Sequence, residues 1–514
     1  MLTGGYVAAF DETVSRPNVV LIYVDDLGYG DLSCLNPESK IQTPSIDRLA
    51  REGISFTDAH SPDSVCTPSR YGLLTGRYCW RTELKRGVLG AEYPCLITDD
   101  RLTLASLLKR RGYHTAMIGK WHLGMDFPGE PGRRDWTQPV RDMPLDKGFD
   151  YFWGIPASLN YGILAWFENR HAAVPPELFT AKKPNRIAIS DYRIRPPYDA
   201  TPQATRQRLN KAGFEVAADF VDQDCLTRFT QQAVQYLKQH AAGDQSDKPF
   251  FLYLPYTSPH KPVIPLPQFR GRSQAGAYGD FVLETDHHVG TILQTLADLQ
   301  LDANTMVIFT SDNGPENTWK QRLQKFDHDS RGGLREGKRS AYEGGHRVPF
   351  LVRWPAGIAA PGRESAALVG QTDVVATLAD LTEVDLSDDA AEDSYSFRKL
   401  LQQPGHQHRR PPMVHHAANG RFALRHQSWK LLLPHAEKPA ELYDLRTDPA
   451  EQQDVAVDHP EVVRELTDRL TQIVTSGRST PGASVSNDTG HWSDLAWLTK
   501  SEFDTLVERE RQNN

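Results

Sequence analysis

Residues 19–31 read Val-Val-Leu-Ile-Tyr-Val-Asp-Asp-Leu-Gly-Tyr-Gly-Asp. Six apolar residues rich in β-branched side chains, closed by acids and a glycine turn, describe a strand buried on both faces that ends abruptly in charge. Three further runs repeat the device: 114–119 (HTAMIG), 250–256 (FFLYLPY) and 305–310 (TMVIFT). Between them, amphipathic helical patterns cover 45–52, 102–111, 226–240 and 281–299. No internal repeat is present. Strands alternating with helices predict an α/β fold with a large mixed, mainly parallel sheet flanked by helices.

Toward the C-terminus the grammar changes. A Pro-, Gly- and His-rich stretch at 402–412 reads as a linker. After it, 421–433 and 440–445 read as strands of a short antiparallel sheet, and 459–474 as one helix packed on it. The expected organisation is an N-terminal extension (1–16), a catalytic domain (17–401), the linker, a smaller C-terminal α+β domain (413–485) and a partly helical tail (486–514). Region 157–215, rich in Pro, Arg and aromatics without a period, reads as a long insertion on the sheet's rim.

Length and composition agree with this reading. The chain has 514 residues, 39% of them hydrophobic and 24% charged, which allows a large core and excludes wholesale disorder, collagen and coiled coil. No stretch has the length of apolar helix that crosses a bilayer. With 66 acidic against 58 basic residues the net charge is -8, which argues against a general nucleic-acid binder but leaves room for a local anion pocket. The five cysteines, Cys34, Cys66, Cys79, Cys95 and Cys225, are too few and scattered for a disulfide framework, and none forms a CxxC pair. The first twenty residues show neither a basic nor an apolar signal region.

The chemistry sits where the strands end. Asp25 and Asp26 follow the first, Lys120, Trp121 and His122 the second, Ser258, Pro259 and His260 the third, and Ser311, Asp312, Asn313 and Gly314 the fourth. Ligands of open α/β sheets bind outside the carboxyl ends of the strands, so these tips are expected to meet in one cleft. Asp25, Asp26, Asp312 and Asn313 offer only oxygen, a donor set for Ca²⁺ or Mg²⁺ rather than zinc. Taken singly, the acidic pairs also suit strand-ending turns, and each histidine also suits a structural role. Lys120, His122 and His260 would bring cationic and proton-transfer groups to an anionic substrate.

Residues 64–70 read as a loop entering a helix, with Thr67 as the expected N-cap and Pro68 at the first helical position. Cys66 then lies at a helix N-terminus, where an anion or nucleophile is favoured; a small buried hydrophobe is the competing account.

Cys66-Thr67-Pro68-Ser69-Arg70, followed by Leu74-Thr75-Gly76-Arg77, closely resembles the signature of the type I, formylglycine-dependent sulfatases of the alkaline phosphatase superfamily. The resemblance continues, in order, through Asp25 to Asp31, Gly119 to Gly124, Gly154-Ile155-Pro156 ahead of Ser158, Ser258-Pro259-His260, Ser311 to Pro315, and Lys338 ahead of Tyr342-Glu343-Gly344-Gly345. It reaches the small domain in Trp429-Lys430-Leu431 and Glu441 to Leu445, and so spans nearly the whole chain.

The resemblance implies an alkaline phosphatase-like fold and oxidation of Cys66 to Cα-formylglycine by a formylglycine-generating or radical maturation enzyme. The aldehyde hydrate would be the nucleophile. Asp25, Asp26, Asp312 and Asn313, with the modified Cys66, would hold a cation, usually calcium and less often magnesium. Arg70 and Lys120 would stabilise the hydrate and its alkoxide. Ser158 and Lys338 would contact the sulfate, with Lys120 and His260 also touching substrate. Asp312 would take the attacking hydroxyl's proton, His260 and Lys338 would protonate the departing alcohol, and His122 would release sulfate from the covalent sulfoenzyme.

The activity implied is hydrolysis of a sulfate monoester on a carbohydrate or aryl substrate. Two alternatives stand beside it: a phosphomonoester or phosphonate monoester hydrolase of the same superfamily, and an inactive sulfated-glycan-binding protein. Trp166, Arg170, Trp319 and His416 are candidate sugar contacts, or else ordinary packing residues. The family's setting implies periplasmic or secreted placement; no signal peptide is visible, which leaves the cytoplasm open.

Overall fold

The computed structural model describes residues 16–181, 198, 213–244 and 246–512. Among them the largest sheet has ten strands, and the Asn18–Asp25 strand lies inside it. It pairs in parallel with Phe250–Pro259 on one side and Thr305–Ser311 on the other, in register Val19 with Phe251 and Met306. Outward from Phe250–Pro259 the parallel run continues through His114–Lys120 and Tyr151–Ile155. Beyond Thr305–Ser311, Phe350–Arg353 and then Ile54–Phe56 pair antiparallel, and Arg363–Ser365 closes that edge parallel to Ile54–Phe56. The four predicted strands thus all form, each one to three residues longer than the apolar run. Every residue of Thr305–Ser311 and Phe250–Pro259 is buried, as the unbroken apolar runs require.

Two groups of helices cover the sheet. Pro44–Arg51, Cys225–Ala242 and Gly276–Asp298 pack together, and Cys66–Thr75, Leu104–Lys109 and Asp373–Thr382 form the second group. The helix expected at 281–299 begins earlier, at Gly276, where Asp280 accepts the backbone N–H groups of Gly271, Arg272 and Ser273 and draws the preceding loop onto its first turns.

The small sheet is antiparallel, in the order Met413–His416, Phe422–His426, Trp429–Leu432 and Glu441–Asp444, with the Pro460–Thr475 helix against it. The single run at 421–433 splits at Gln427, whose φ of 53° makes the tight turn. Its core holds Leu424, Leu431 and Leu466, and also Tyr78 and Trp80 from the segment that follows the Cys66–Thr75 helix, so the two sheets are joined through shared packing. Within 402–412, Arg410 makes two hydrogen bonds to the Asp373 carboxylate, at 2.7 and 2.9 Å, with both side chains buried.

The five cysteines are free thiols. No helix among the described residues is long and apolar enough to cross a membrane. In the region 157–215, Ile163–Leu164, Gly213–Val216 and Leu178–Ala181 make a three-stranded sheet, and most of the remainder lies outside the described residues.

Candidate active site

All five parallel strands point their carboxyl ends at one place. Two of the tips use a left-handed backbone on a residue other than glycine: Asp26 has φ 67° and His122 has φ 62°. Such conformations cost about 1–3 kcal/mol each and cluster at functional sites. Here they turn the chain one and two residues past the strand ends at Asp25 and Lys120. Gly314 serves the same place by its bareness, since a Cβ there would meet the Gly344 carbonyl oxygen at 1.8 Å. That close approach brings the loop carrying Lys338 against the one carrying Asn313.

The Cys66–Thr75 helix begins at Cys66 itself, with Val65 in the extended capping position, so Thr67 is not the N-cap and Pro68 is the third helical residue. The Thr67 hydroxyl has other partners: it donates to the His122 carbonyl at 3.0 Å and accepts from the Leu89 amide at 3.2 Å. It therefore locks the His122 loop onto the helix rather than capping it.

Around Cys66 the charged groups interleave. The thiol lies 3.4 Å from Asp25 Oδ1, and Lys338 Nζ lies 3.2 Å from Sγ. Lys120 bonds Asp25, and Lys338 bonds Asp26. Arg70 donates from Nη2 to Asp312 Oδ2 at 3.0 Å and from Nη1 to the Lys120 carbonyl at 3.1 Å. Asn313 Nδ2 donates to Asp26 Oδ1 at 2.8 Å, and the Asp26 amide donates to Asp312 Oδ1 at 3.1 Å. His260 Nε2 stands 3.8 Å from Asp26 Oδ2, with Nδ1 against the Lys261 carbonyl at 2.6 Å. His122 Nε2 meets the Leu89 carbonyl at 3.0 Å. Ser158 is buried, and its hydroxyl has no protein partner. The sequence-predicted site residues thus gather at the strand tips.

This setting controls proton placement. Burial would raise the Asp25 carboxyl, but Lys120, His260 and Arg70 outweigh it and hold the group well below the carboxylate range. Burial, with Asp25 beside it, raises Asp312. Burial also pushes the Cys66 thiol up, with Asp25 adding to the effect. The encoded cysteine is therefore a protonated thiol and not a thiolate, despite its place at a helix N-terminus. Burial lowers His260 to about 4, and Lys338 stays protonated because Asp26, Cys66 and Asp25 overcome its desolvation.

The donor set fits a hard cation. Asp26 Oδ2 and Asn313 Oδ1 are buried oxygens without a hydrogen-bond partner, beside the carboxylates of Asp25 and Asp312. Oxygen donors on separate strand tips, enclosed by protein, suit a hard divalent cation. A second cluster, His60, Glu343, His346 and His415, joins His415 of the small sheet to side chains from outside it. There Lys430 Nζ bonds Glu343 Oε1 at 2.9 Å and His346 Nε2 at 3.0 Å, supplying that cluster with a cation of its own.

A model of the sulfatase family matches residues 17–384, and one described as N-sulphoglucosamine sulphohydrolase, C-terminal, matches 336–476. The chain belongs to the sulfatase family. This sulfatase is 35% identical over 496 residues to the N-acetylgalactosamine-6-O-sulfatase of Bacteroides thetaiotaomicron, covering 90% of this chain and 93% of the relative. It is 34% identical to human arylsulfatase A over 489 residues, with 88% and 86% covered. A solved Bacteroides thetaiotaomicron structure, described in the context of the metabolism of multiple glycosaminoglycans, superposes with a TM-score of 0.76 at 34% identity, covering 89% of this chain and 99% of the other. The fold is alkaline phosphatase-like, and the chain is an enzyme that hydrolyses sulfate esters on carbohydrate or aryl substrates.

Of the candidate sugar contacts, three are packing residues. Trp166 is buried and stacks on Trp153 with ring centroids 5.1 Å apart. Trp319 is buried under the Arg331 guanidinium at 3.6 Å, and His416 Nδ1 meets Asp63 at 2.8 Å. Arg170 is bound to Asp146. Sequence reasoning did not single out Tyr161, whose ring lies 5.2 Å from His122, or the trio Lys261, Glu316 and Arg339. For Lys261 and Arg339 the signal was adjacency: Lys261 follows His260, and Arg339 follows Lys338.

Proposed function

We propose that this sulfatase acts on a sulfated saccharide through Cα-formylglycine formed at Cys66, with Ca²⁺ held by Asp25, Asp26, Asp312, Asn313 and the modified residue. The observation that carries the reading is the convergence of partnerless buried oxygens, two lysines and Arg70 on one thiol at a helix entrance. Matured, Cys66 supplies a hydrated aldehyde, and the cation offsets the negative charge of the ester's oxygens.

The chain's own residues then divide the work. Arg70 and Lys120 fix and neutralise the acids that surround the nucleophile. Ser158, whose hydroxyl is free to donate, contacts a sulfate oxygen together with Lys338. Asp312, bound to Arg70 beside Asp25, accepts the nucleophile's proton. Lys338 carries a proton to the departing alcohol; neutral His260 presents Nε2 toward the same space and orients that group. His122, with Nδ1 unpartnered, accepts the last hydroxyl proton as sulfate leaves.

The N-acetylgalactosamine-6-O-sulfatase relative supports a sulfated amino sugar as substrate. The family's setting supports a periplasmic or secreted protein matured by a formylglycine-generating or radical enzyme. Residues 17–401 form the catalytic unit of this reading, with 413–485 as a small domain beside it. Mass spectrometry of peptides across 51–77 tests the nucleophile: an aldehyde at position 66 is expected, and a plain thiol in fully active protein would refute it. Faster turnover of an aryl phosphate than of the aryl sulfate would favour the phosphoester alternative.

A further inference from the structure

Glu316 joins two cations at the mouth of the site. It takes Arg339 by both terminal nitrogens, at 2.6 and 2.8 Å, and Lys261 at 3.4 Å. Each of the three lies beside a strand tip or loop that carries a site residue: Arg339 adjoins Lys338, Lys261 adjoins His260, and Glu316 comes three positions after Asn313.

Three features make this more than a surface ion pair. Arg339 has φ 80°, a left-handed conformation uncommon for a residue other than glycine, and its amide is tied to the Ser64 carbonyl at 2.9 Å. Its guanidinium, one residue along the chain from Lys338, is held by both oxygens of Glu316. The two cations share one carboxylate, leaving a net positive charge there. Their side chains are 42% and 32% exposed, so several N–H donors of each remain available beyond those spent on Glu316. Arg339 and Lys338 also line a groove of about 310 Å³, with Asn317, Tyr342, Asn419 and Lys438 along it.

We propose that Arg339 and Lys261 form a rim site for a second anionic group of the substrate, a sulfate or carboxylate elsewhere on the saccharide than the ester being cleaved. The proposal rests on the sulfatase reading of the site and adds a preference for doubly anionic substrates. Glu316 holds the two cations in place and must share them when the second anion arrives. A second sulfate on the same ring and a carboxylate on the neighbouring ring present the same chemistry to these donors.

Calorimetric binding to the folded, non-hydrolysing Cys66→Ala chain with calcium present tests this. The probes are a monosulfated hexosamine, its disulfated counterpart and a monosulfated disaccharide carrying a uronate. Tighter binding, by about tenfold, is expected for at least one doubly anionic probe over the first. Which one identifies the anion's source. Arg339→Ala with Lys261→Ala is expected to erase that margin, and Glu316→Gln to widen it. A margin that is absent in the parent chain, or that survives the double substitution, overturns the proposal. Turnover of an aryl sulfate by the matured wild-type enzyme reports separately on the sulfatase reading.

Discussion

Lys338 Nζ lies 3.2 Å from Cys66 Sγ although 272 positions separate the two residues. Each is also held by one of two adjacent acids, Lys338 by Asp26 and Cys66 by Asp25. The end of one strand therefore sets the distance between the reacting position and its nearest cation. Replacing Lys338 by Met is expected to lower kcat for an aryl sulfate by about two to three orders of magnitude, as removal of a preorganised charge donor does. Steady-state kinetics checks it; a change confined to KM would place Lys338 outside the reacting centre.

Cys66→Ser nearly keeps the volume of the side chain, but an unmodified serine has no second hydroxyl and supplies no aldehyde hydrate. Its expected behaviour is a single turnover at most, with sulfate retained on the introduced hydroxyl and visible as a mass increase of the intact protein. Sustained turnover by this variant would remove the need for a matured residue.

Chelation reports on the oxygen cage. Removing calcium is expected to abolish turnover and lower the melting temperature, with both restored by added Ca²⁺. Ligand at about 100 times its Kd stabilises a fold by about 2.7 kcal/mol. Full activity after exhaustive chelation would show that Asp26 Oδ2 and Asn313 Oδ1 serve some other partner.

The imidazoles of His60, His346 and His415 are all buried, and burial lowers each pKa, with Lys430 adding to the effect at His346 and His415. Asp58 and Glu343 oppose it at His60, and Arg347 and Arg425 reinforce it nearby. Unfolded histidine titrates near 6.5. The unfolded chain therefore binds protons first as pH falls, so this stabilisation is complete above about pH 6.5 and lost below it. Denaturant titrations between pH 8 and 5 are expected to show stability falling on acidification by up to about 1.4 kcal/mol per unit for each histidine. His415→Leu should flatten that slope, and an unchanged slope would assign the acid sensitivity elsewhere.

Asp373 and Arg410 form an ion pair with both side chains fully buried. Asp373→Ala leaves the guanidinium with only the Pro411, Pro412 and Asp393 carbonyls and no counter-charge, and is expected to cost about 3–5 kcal/mol, read from chemical denaturation. A loss below about 1 kcal/mol would mean that Arg410 finds water or another acceptor.

Much of this was legible in the chain because it is locally encoded. Unbroken apolar runs announced the parallel strands, and the residues after Val24, Gly119 and Thr310 announced the acids and bases of the cleft. The start of the Cys66–Thr75 helix lies earlier than its sequence suggests: Thr67 looks like a cap, but its hydroxyl is committed to the His122 loop, a partner 55 positions away. Trp166 looks like a sugar platform for the same reason, since its partner Trp153 and its burial are properties of the packed sheet.

Periodicity and turn chemistry act over a few residues, so the sequence alone determined that strands and helices alternate and which side chains stand at their ends. Strand order, the left-handed turns at Asp26 and His122, and the sharing of Glu316 between Lys261 and Arg339 were decided only in the folded chain. Those contacts join segments tens to hundreds of residues apart, and their energies depend on burial, which exists only once the core has closed around them.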